Sequence, residues 1–267
     1  MASPWTPGQL CDDLRRLGIE PGEVVMVHAS LPAIGPVDGG AAGVVAALDE
    51  AVGPSGTLLM ALGARDDWSW VNEHAEDARE ALLAGAEPFD ALETPAQEDV
   101  GTLAEVFRTT PGTRVSNHPE GRFGARGRLA GEFTRDVPWD DYYGPGSPLE
   151  RLVEADGKVL RLGADENILT LIHYAEYVAD VADKHRVRRH RRVMEPEGPA
   201  IRVVECLDDS IGIVDWPGED YFAMILRAYL ATHAPPRGTV GHAASEILDA
   251  RALVRLAARW MTEHLPG

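Results

Sequence analysis

Short apolar runs that alternate with a helical segment are the feature of the sequence that most restricts its fold. Val24 to His28 (VVMVH) and Thr57 to Leu62 (TLLMAL) are continuous apolar runs of strand length. Between them, Ala41 to Val52 has the periodicity of a helix and ends at the turn residues Gly53 to Gly56. This order predicts an α/β fold with a mixed, largely parallel central sheet flanked by helices.

The remaining elements follow from the same patterns. A first helix has Leu10, Leu14 and Leu17 on its inner face and stops at Gly18. Residues 111–131 read as a loop with some strand. Further helices are predicted over 103–109, from 149, over 170–182 with Thr170 as its cap, over 218–233 and over 243–264, and further strands over 158–163, 200–206 and 212–216.

Residues from about 64 to 100 interrupt this alternation. They contain acidic residues, two tryptophans, a stretch rich in Glu and Ala, and two prolines. A long irregular excursion in a compact domain is usually functional or mobile. We therefore expect a single domain over residues 1–267 with a variable insertion at about 64–100.

Composition excludes several classes of partner. The chain carries 25 Lys and Arg against 43 Asp and Glu, a formal net charge of -18, whereas nucleic acids and anionic membranes require a basic footprint. Its acidity suits capture of a cation, although solubility alone would also explain it. Cys11 and Cys206 are too few for a disulfide framework or a zinc cluster. Since no signal peptide or membrane span is recognisable, a cytoplasmic location is expected.

Small residues and a glycine follow the first predicted strand, over His28 to Gly35 (HASLPAIG). A loop at this position exposes backbone N–H groups at the carboxyl edge of a sheet, where α/β folds bind ligands, phosphates especially. The segment matches neither the Walker loop nor the dinucleotide glycine pattern. An ordinary strand-to-helix turn is therefore an equal alternative.

His173, Glu176 and Asp180 share one face of the helix predicted over 170–182. A carboxylate beside an imidazole raises the pKa of the imidazole and fixes its orientation, which suits a general base. A solvated His–Glu pair is the alternative. A metal site is a weaker interpretation, because the HxxE spacing is not that of the HExxH zinc motif.

Charged residues also cluster in predicted loops and in one basic run. The pairs Asp66-Asp67 and Asp208-Asp209, with tryptophans near the first, suit a polyamine or an amino sugar, although such pairs are also typical of solvated turns. The run from Lys184 to Arg192 (KHRVRRHRR) is interpreted as a strand or helix face that is salt-bridged to the acidic surface. Binding of an anionic cofactor is the alternative for this run.

Six segments, in order over nearly the whole chain, resemble the aminoglycoside 3-N-acetyltransferases. This antibiotic-NAT family is unrelated in fold to the GNAT acetyltransferases. The segments are VVMVHASLPAIGPVDGG, SNHPEGRFGARG, GPGSPLERLVEADGKVLRLGA, TLIHYAEYVAD, GIVDWPGEDYF and RGTVGHAAS. The resemblance implies the antibiotic-NAT fold and transfer of an acetyl group from acetyl-CoA to the 3-amino group of the deoxystreptamine ring of aminoglycosides, which confers resistance.

The resemblance also implies residue roles. His173 falls on the catalytic histidine of the family, and Glu176 on the acidic residue one turn later. The CoA groove is implied at His28, Ser30, Leu31, Gly35, Ser116, Gly146 and Ser147, and substrate-facing carboxylates at Asp66, Asp67, Asp208 and Asp209. The expected partners are an aminoglycoside and CoA, with no metal, nucleic acid or membrane, in a monomer or homodimer.

The segment after TLLMAL departs from the proline-rich loop of the commonest members, so we expect it to reshape the acceptor site. Neither cysteine lies in a motif with a base, which favours direct transfer within a ternary complex. The alternatives are the same fold acting on another amine, a metal-dependent hydrolase and a non-catalytic binding module.

Overall fold

A seven-stranded sheet forms the centre of the protein, whose computed structural model describes residues 3–266. Its strands, in chain order, are β1 (Val24–Ala29), β2 (Thr57–Ala61), β3 (Arg114–Val115), β4 (Phe123–Gly127), β5 (Lys158–Leu162), β8 (Arg237–Val240) and β9 (Ala243–Asp249). The spatial order is β3-β4-β2-β1-β5-β9-β8. β1 pairs in parallel with β2 and β5, and the outer pairings are antiparallel.

Helices cover both faces of this sheet. They are α1 (Pro7–Leu17), α2 (Leu31–Ile34), α3 (Gly40–Val52), α4 (Glu76–Leu83), α5 (Thr102–Thr109), α6 (Ala130–Thr134), α7 (Pro148–Glu154), α8 (Leu171–Val178), α9 (Tyr221–His233) and α10 (Ala250–His264). Alternate residues of β1 point to opposite faces: Met26 packs in the core that contains α8, α9 and α10, and Val27 in the core that contains α1 and α3. The predicted α/β class with a mixed sheet flanked by helices is confirmed.

A separate hairpin, β6 (Arg186–Glu195) with β7 (Gly198–Leu207), lies outside this sheet. It is hydrogen-bonded to the excursion of residues 64–100. Phe89 N donates to Arg192 O at 2.8 Å, and Met194 N donates to Phe89 O at 2.8 Å. The guanidinium of Arg192 donates to the carbonyls of Ala84 and Ala86 at 2.6 and 2.7 Å. The excursion, which also contains α4 and two short 3₁₀ turns, is therefore fastened to the hairpin.

The basic run lies on β6 and is salt-bridged, as the sequence predicted. Its ion pairs are Arg186–Asp141, Arg188–Glu76, Arg189–Asp209, Arg191–Asp66 and Arg191–Glu120. The run therefore joins the hairpin to neighbouring acidic segments.

The C-terminal segment over 243–264, predicted as one helix, is instead strand β9 followed by helix α10. β9 pairs antiparallel with β5, and Ile247 is buried in the core. The division falls at Asp249, whose Oδ1 accepts the N–H of Ala252 at 2.7 Å and so caps α10. The apolar spacing of so short a strand also fits a helix turn, which explains the error.

Three smaller predictions were also wrong. No strand forms over 212–216 within the described residues, because Gly212 has a φ of +100° and Ile213 is buried in the core without forming a ladder. The helix predicted from 218 begins only at Tyr221, where Asp220 supplies the side-chain cap. Thr170 has helical backbone angles and makes no side-chain capping bond, and α8 ends at Val178.

Candidate active site

His173 and Glu176 form a hydrogen-bonded pair on α8. Nδ1 of His173 lies 2.8 Å from Oε2 of Glu176. Because a carboxylate only accepts hydrogen bonds, Nδ1 carries the proton and Nε2 is left as the basic nitrogen. Glu176 is 1% exposed, whereas the side chain of His173 keeps 19% of its surface accessible. The imidazole is therefore reachable while its partner is enclosed.

The electrostatic surroundings make His173 a stronger base. Burial lowers its pKa, but the Glu176 carboxylate and, from a greater distance, Asp209 raise it, and the net shift is upward. Aromatic rings fix the plane of the imidazole: Tyr143 stacks on it at 5.0 Å between centroids, and Phe222 meets it edge-on at 4.9 Å. The pair therefore has the orientation and basicity that proton abstraction requires.

The predicted pair Asp208-Asp209 follows β7, and its two members differ in role. Asp209 accepts a hydrogen bond from Arg189 at 2.6 Å through Oδ1 and one from the Tyr142 hydroxyl at 2.5 Å through Oδ2. Oδ1 of Asp208 accepts the N–H groups of Ser210 and Ile211 at 2.9 and 3.2 Å. Asp209 thus belongs to the surroundings of His173, whereas Asp208 shapes the turn.

The pair Asp66-Asp67 lies on the rim of a cleft of about 680 Å³. Oδ2 of Asp66 pairs with Arg191 at 3.0 Å, and Asp67 pairs with Arg65 at 3.0 Å. Further carboxylates and an apolar wall line the same cleft: Glu87, Asp90, Glu93, Trp68, Leu83, Pro88, Phe89 and Met194. An apolar wall beside carboxylates suits a ligand that carries both a carbon ring and ammonium groups.

Glu120 connects this cleft to the His173 region, and the sequence did not single it out. Arg191 donates to Glu120 at 2.7 Å while it pairs with Asp66. Glu120 also lies 3.9 Å from Arg189, which holds Asp209. A signal was present, since Arg189 and Arg191 are two residues apart and so share one face of β6. Carboxylates and guanidinium groups therefore alternate from the cleft to Asp209.

His118 holds the loop that carries Glu120. Its Nδ1 accepts the N–H of Gly121 at 2.7 Å, and its Nε2 donates to the carbonyl of Trp139 at 2.8 Å. Burial, only partly offset by that carbonyl, lowers the pKa of His118 to about 4. Protonation of Nδ1 would break its acceptor role, so the folded loop needs a neutral imidazole.

Acid is expected to destabilise the fold through His118. The pKa of His118 is about 4 in the folded protein against 6.5 for the free side chain. Between these two values the unfolded chain binds more protons, so the free energy of unfolding decreases as the pH is lowered. The loss at pH 4.5 should be roughly 2–3 kcal/mol. Urea unfolding of His118→Asn and wild type at pH 7 and 4.5 measures it. Equal pH dependence in both proteins would contradict the assignment.

Four residues of the implied CoA groove lie together at the carboxyl edge of β1. Ser30 N donates to the carbonyl of Leu162 at 2.9 Å, and Leu31 begins α2. Gly35 has a φ of +88°, and a Cβ there would lie 2.6 Å from Nδ1 of His242. His28 is 7% exposed, its Nε2 has no hydrogen-bond partner among the described residues, and burial, aided by Arg161, lowers its pKa to about 4.

The other three residues of that groove form local hydrogen bonds that stabilise turns. Oγ of Ser116 accepts the N–H of Phe123 at 2.8 Å, and Oγ of Ser147 accepts the N–H of Glu150 at 3.3 Å at the start of α7. Both serines are buried. Gly146 N donates to Oε2 of Glu150 at 2.6 Å. The hydroxyls thus stabilise their own turns, and contact with CoA at these positions stays a prediction.

Solved structures share this architecture over almost the whole chain. AAC-IIIb, solved as a binary complex with CoASH, superposes with a TM-score of 0.92 at 37% identity, covering 99% of this chain and 98% of that one. AAC-VIa bound to sisomicin has a TM-score of 0.92 at 35% identity, covering 98% of each chain. The fold thus matches that of acetyltransferases that have been solved with CoA or with an aminoglycoside.

Sequence comparison gives the family. The family model described as aminoglycoside 3-N-acetyltransferase matches residues 26–262. Aminoglycoside N(3)-acetyltransferase VII of Streptomyces paromomycinus is 37% identical over 98% of this chain and 93% of its own, and the type III enzyme of Serratia marcescens is 38% identical over 94% and 95%. The chain belongs to the aminoglycoside 3-N-acetyltransferase family. The predicted family and enzyme class are thereby confirmed.

Two further searches cover residues 3–266 only. No helix in that range is long and apolar enough to cross a membrane. Over the same residues, no group of three or more His, Cys, Asp or Glu side chains is arranged to hold a metal ion.

Proposed function

We propose that the protein transfers the acetyl group of acetyl-CoA to the 3-amino group of the deoxystreptamine ring of aminoglycosides, and so confers resistance to them. The observation that carries this proposal is the accessible imidazole of His173, held at 2.8 Å by the enclosed carboxylate of Glu176. Family membership supports the reaction class, and relatives solved with CoASH and with sisomicin support the two substrates.

The mechanism starts from the protonation state of the acceptor. An amine at neutral pH is mostly ammonium, and a negative pocket raises its pKa further. Nε2 of His173 takes one proton from the ammonium and releases it to solvent, and it takes a second proton from the neutral 3-amino nitrogen as that nitrogen attacks the thioester carbonyl carbon. A C–N bond forms, the C–S bond breaks, and the proton passes from His173 to the CoA sulfur that leaves. The Glu176 carboxylate stabilises the imidazolium formed on the way.

The raised pKa values of both cysteine thiols support direct transfer without an acetyl-enzyme intermediate. Burial raises the pKa of Cys206 to about 12, and burial together with Glu50 raises the pKa of Cys11. Neither thiol is a ready thiolate, so neither suits an acetyl-enzyme intermediate. Trapping of an acetylated cysteine during turnover would overturn this step.

The two substrates bind at opposite ends of the proposed site. The loop after β1, with His28, Ser30, Leu31 and Gly35, receives CoA at the carboxyl edge of the sheet, where backbone amides suit pantetheine and pyrophosphate. The acceptor lies between His173 and the cleft beside Asp66 and Asp67. Three of the acidic side chains, those of Asp66, Asp67 and Asp209, already pair with arginines. The negative charge of the cleft that remains unpaired therefore comes from Glu87, Asp90 and Glu93.

Turnover of acetyl-CoA tests the proposal directly. Release of CoA thiol is measured with 4,5-linked and 4,6-linked aminoglycosides, with apramycin, and with polyamines as a contrasting class of amine. We expect turnover with aminoglycosides and acetylation at the 3-amino group by NMR of the product. Turnover with the other amines alone would favour the same fold acting on a different acceptor.

Trp68 offers a test of the acceptor cleft. Its ring lines the cleft, while Trp70, stacked on it at 5.9 Å between centroids, does not. Removal of the ring should raise KM for a three-ring aminoglycoside about tenfold, because an aromatic wall contributes roughly 1–2 kcal/mol to a cationic sugar. Trp68→Ala should leave KM for acetyl-CoA unchanged.

Trp70→Ala is the matched control for that measurement, since it removes a similar ring next to the cleft. A KM for the aminoglycoside that rises equally in both variants would show that the tryptophans only support the excursion. Deoxystreptamine itself, which carries no outer sugars, provides a second contrast, and its KM should respond less to Trp68→Ala.

A further inference from the structure

We propose that Tyr221 is a positioning residue that holds the Glu176 carboxylate against His173. This inference rests on the proposed function, because it assigns a role within the machinery of the His173 base. Tyr221 does not touch the reacting atoms, and it acts through Glu176.

The hydrogen bonds around Glu176 place Tyr221 in this role. The Tyr221 hydroxyl donates to Oε1 of Glu176, and His173 Nδ1 bonds Oε2 of the same carboxylate. Both Glu176 and Tyr221 are buried. A buried carboxylate needs a donor at each oxygen, and the two side chains supply one each. Loss of the hydroxyl would therefore leave Oε1 without its donor.

The start of α9 makes Tyr221 a rigid support. Asp220 caps the helix, with its Oδ1 accepting the N–H groups of Phe222 and Ala223 at 2.8 and 3.3 Å. Phe222, the next residue, packs against the imidazole of His173. Two consecutive residues of one capped helix therefore constrain both members of the pair, Tyr221 the carboxylate and Phe222 the ring.

A nearby positive charge is present beside the side chain of Glu176. Lys184 lies close enough for the charge of Glu176 to raise its pKa, against a larger lowering by burial, and its Nζ bonds the carbonyl of Ala179 at 2.7 Å. A Glu side chain has several rotamers. Without the Tyr221 donor, the Glu176 rotamer that bonds His173 loses one of the two hydrogen bonds that hold it.

The charged groups that face His173 are Glu176 on its own helix, Asp209 after β7 and Arg189 on β6. Replacement of Tyr221 leaves Asp209 and Arg189 in place. A change in the pKa of His173 in such a variant therefore reports the position of Glu176.

Tyr221→Phe removes one oxygen atom and keeps the ring. We expect kcat to fall about tenfold, with KM for acetyl-CoA unchanged. In Tyr221→Phe, His173 loses the carboxylate that raises its pKa, so the acid limb of the kcat/KM profile should move to lower pH. Glu176→Gln should move the same limb in the same direction by a larger amount. NMR titration of the His173 imidazole measures the same shift without turnover.

Tyr229→Phe is the matched control. Tyr229 lies on the same helix, is also buried, and its hydroxyl accepts the N–H of Asp249 at 3.1 Å, away from His173. Both variants should lose a comparable free energy of unfolding, about 1–3 kcal/mol for a buried group left without its partner. Only Tyr221→Phe should change kcat and the pH profile.

A double-mutant cycle separates positioning from packing. In a Glu176→Gln background, Tyr221→Phe should have no further effect on kcat, whereas a packing role would give additive losses. A wild-type acid limb in Tyr221→Phe, additive losses in the cycle, or an equal fall in Tyr229→Phe would each overturn the proposal. Undiminished turnover in His173→Ala would instead show that another group is the base, and absence of turnover with every aminoglycoside would overturn the proposed function itself.

Discussion

Replacement of His173 by Ala is expected to lower kcat about 10²–10⁴-fold, the usual contribution of a general base. The variant loses the accessible basic nitrogen of the α8 pair, while the loop after β1, where we propose that CoA binds, is untouched. The dissociation constant of acetyl-CoA, measured by calorimetry, should therefore stay at its wild-type value. Steady-state release of CoA thiol gives kcat.

His233→Ala is a suitable control for this variant, because His233 is exposed at the end of α9. The residual rate of His173→Ala should also rise with pH more steeply than that of wild type, since the acceptor must then lose its proton to solvent. Near-complete turnover in His173→Ala would show that another group is the base.

Loss of Arg122 should have the largest effect on stability. The guanidinium is 1% exposed and packs 5.5 Å from the ring of Phe89. It donates to three backbone carbonyls of the excursion, those of Ala91, Thr94 and Pro95, and to the carbonyl of Gly63 just before it. Burial lowers its pKa to about 10, which leaves it charged at neutral pH. Arg122→Met would therefore leave several partly buried carbonyls without this donor at once.

The expected cost of Arg122→Met is about 3–5 kcal/mol of the free energy of unfolding, or roughly 10 °C in Tm for a chain of this size. Since the bonds anchor the wall of the cleft, KM for the aminoglycoside should rise while KM for acetyl-CoA stays constant. Arg126→Met, in the adjoining strand β4 but with 24% of its side chain exposed and paired with Asp49, should cost less than about 1 kcal/mol. Equal losses in the two variants would contradict this account.

Local sequence signals were enough for the centre of the fold. Val24 to His28 and Thr57 to Leu62 were recognisable strands because buried parallel strands are continuously apolar. β9 was mistaken for helix, since the pairing with β5 that makes it a strand comes from residues more than 80 positions away. Propensity within a short apolar segment does not contain that information.

The candidate site divides in the same way. His173 and Glu176 were predictable because residues three apart on a helix are neighbours. Tyr221 donates to Glu176 from 45 positions away, and Arg191 reaches Glu120 across 71, so no local pattern indicated either contact. The net charge likewise does not show which carboxylates are paired, so it gave no sign that Asp66, Asp67 and Asp209 bind arginines.

The hydrogen bonds between the hairpin and the excursion have a consequence for how acceptor preference diverges in this fold. Both segments lie outside the seven-stranded sheet, and Arg79 and Arg192 tie them together through main-chain carbonyls. We therefore expect the two segments to be exchangeable only as one module. A chimera that transplants residues 64–100 alone breaks these ties, whereas one that carries 64–100 and 186–207 together preserves them and can transfer the acceptor spectrum of its donor.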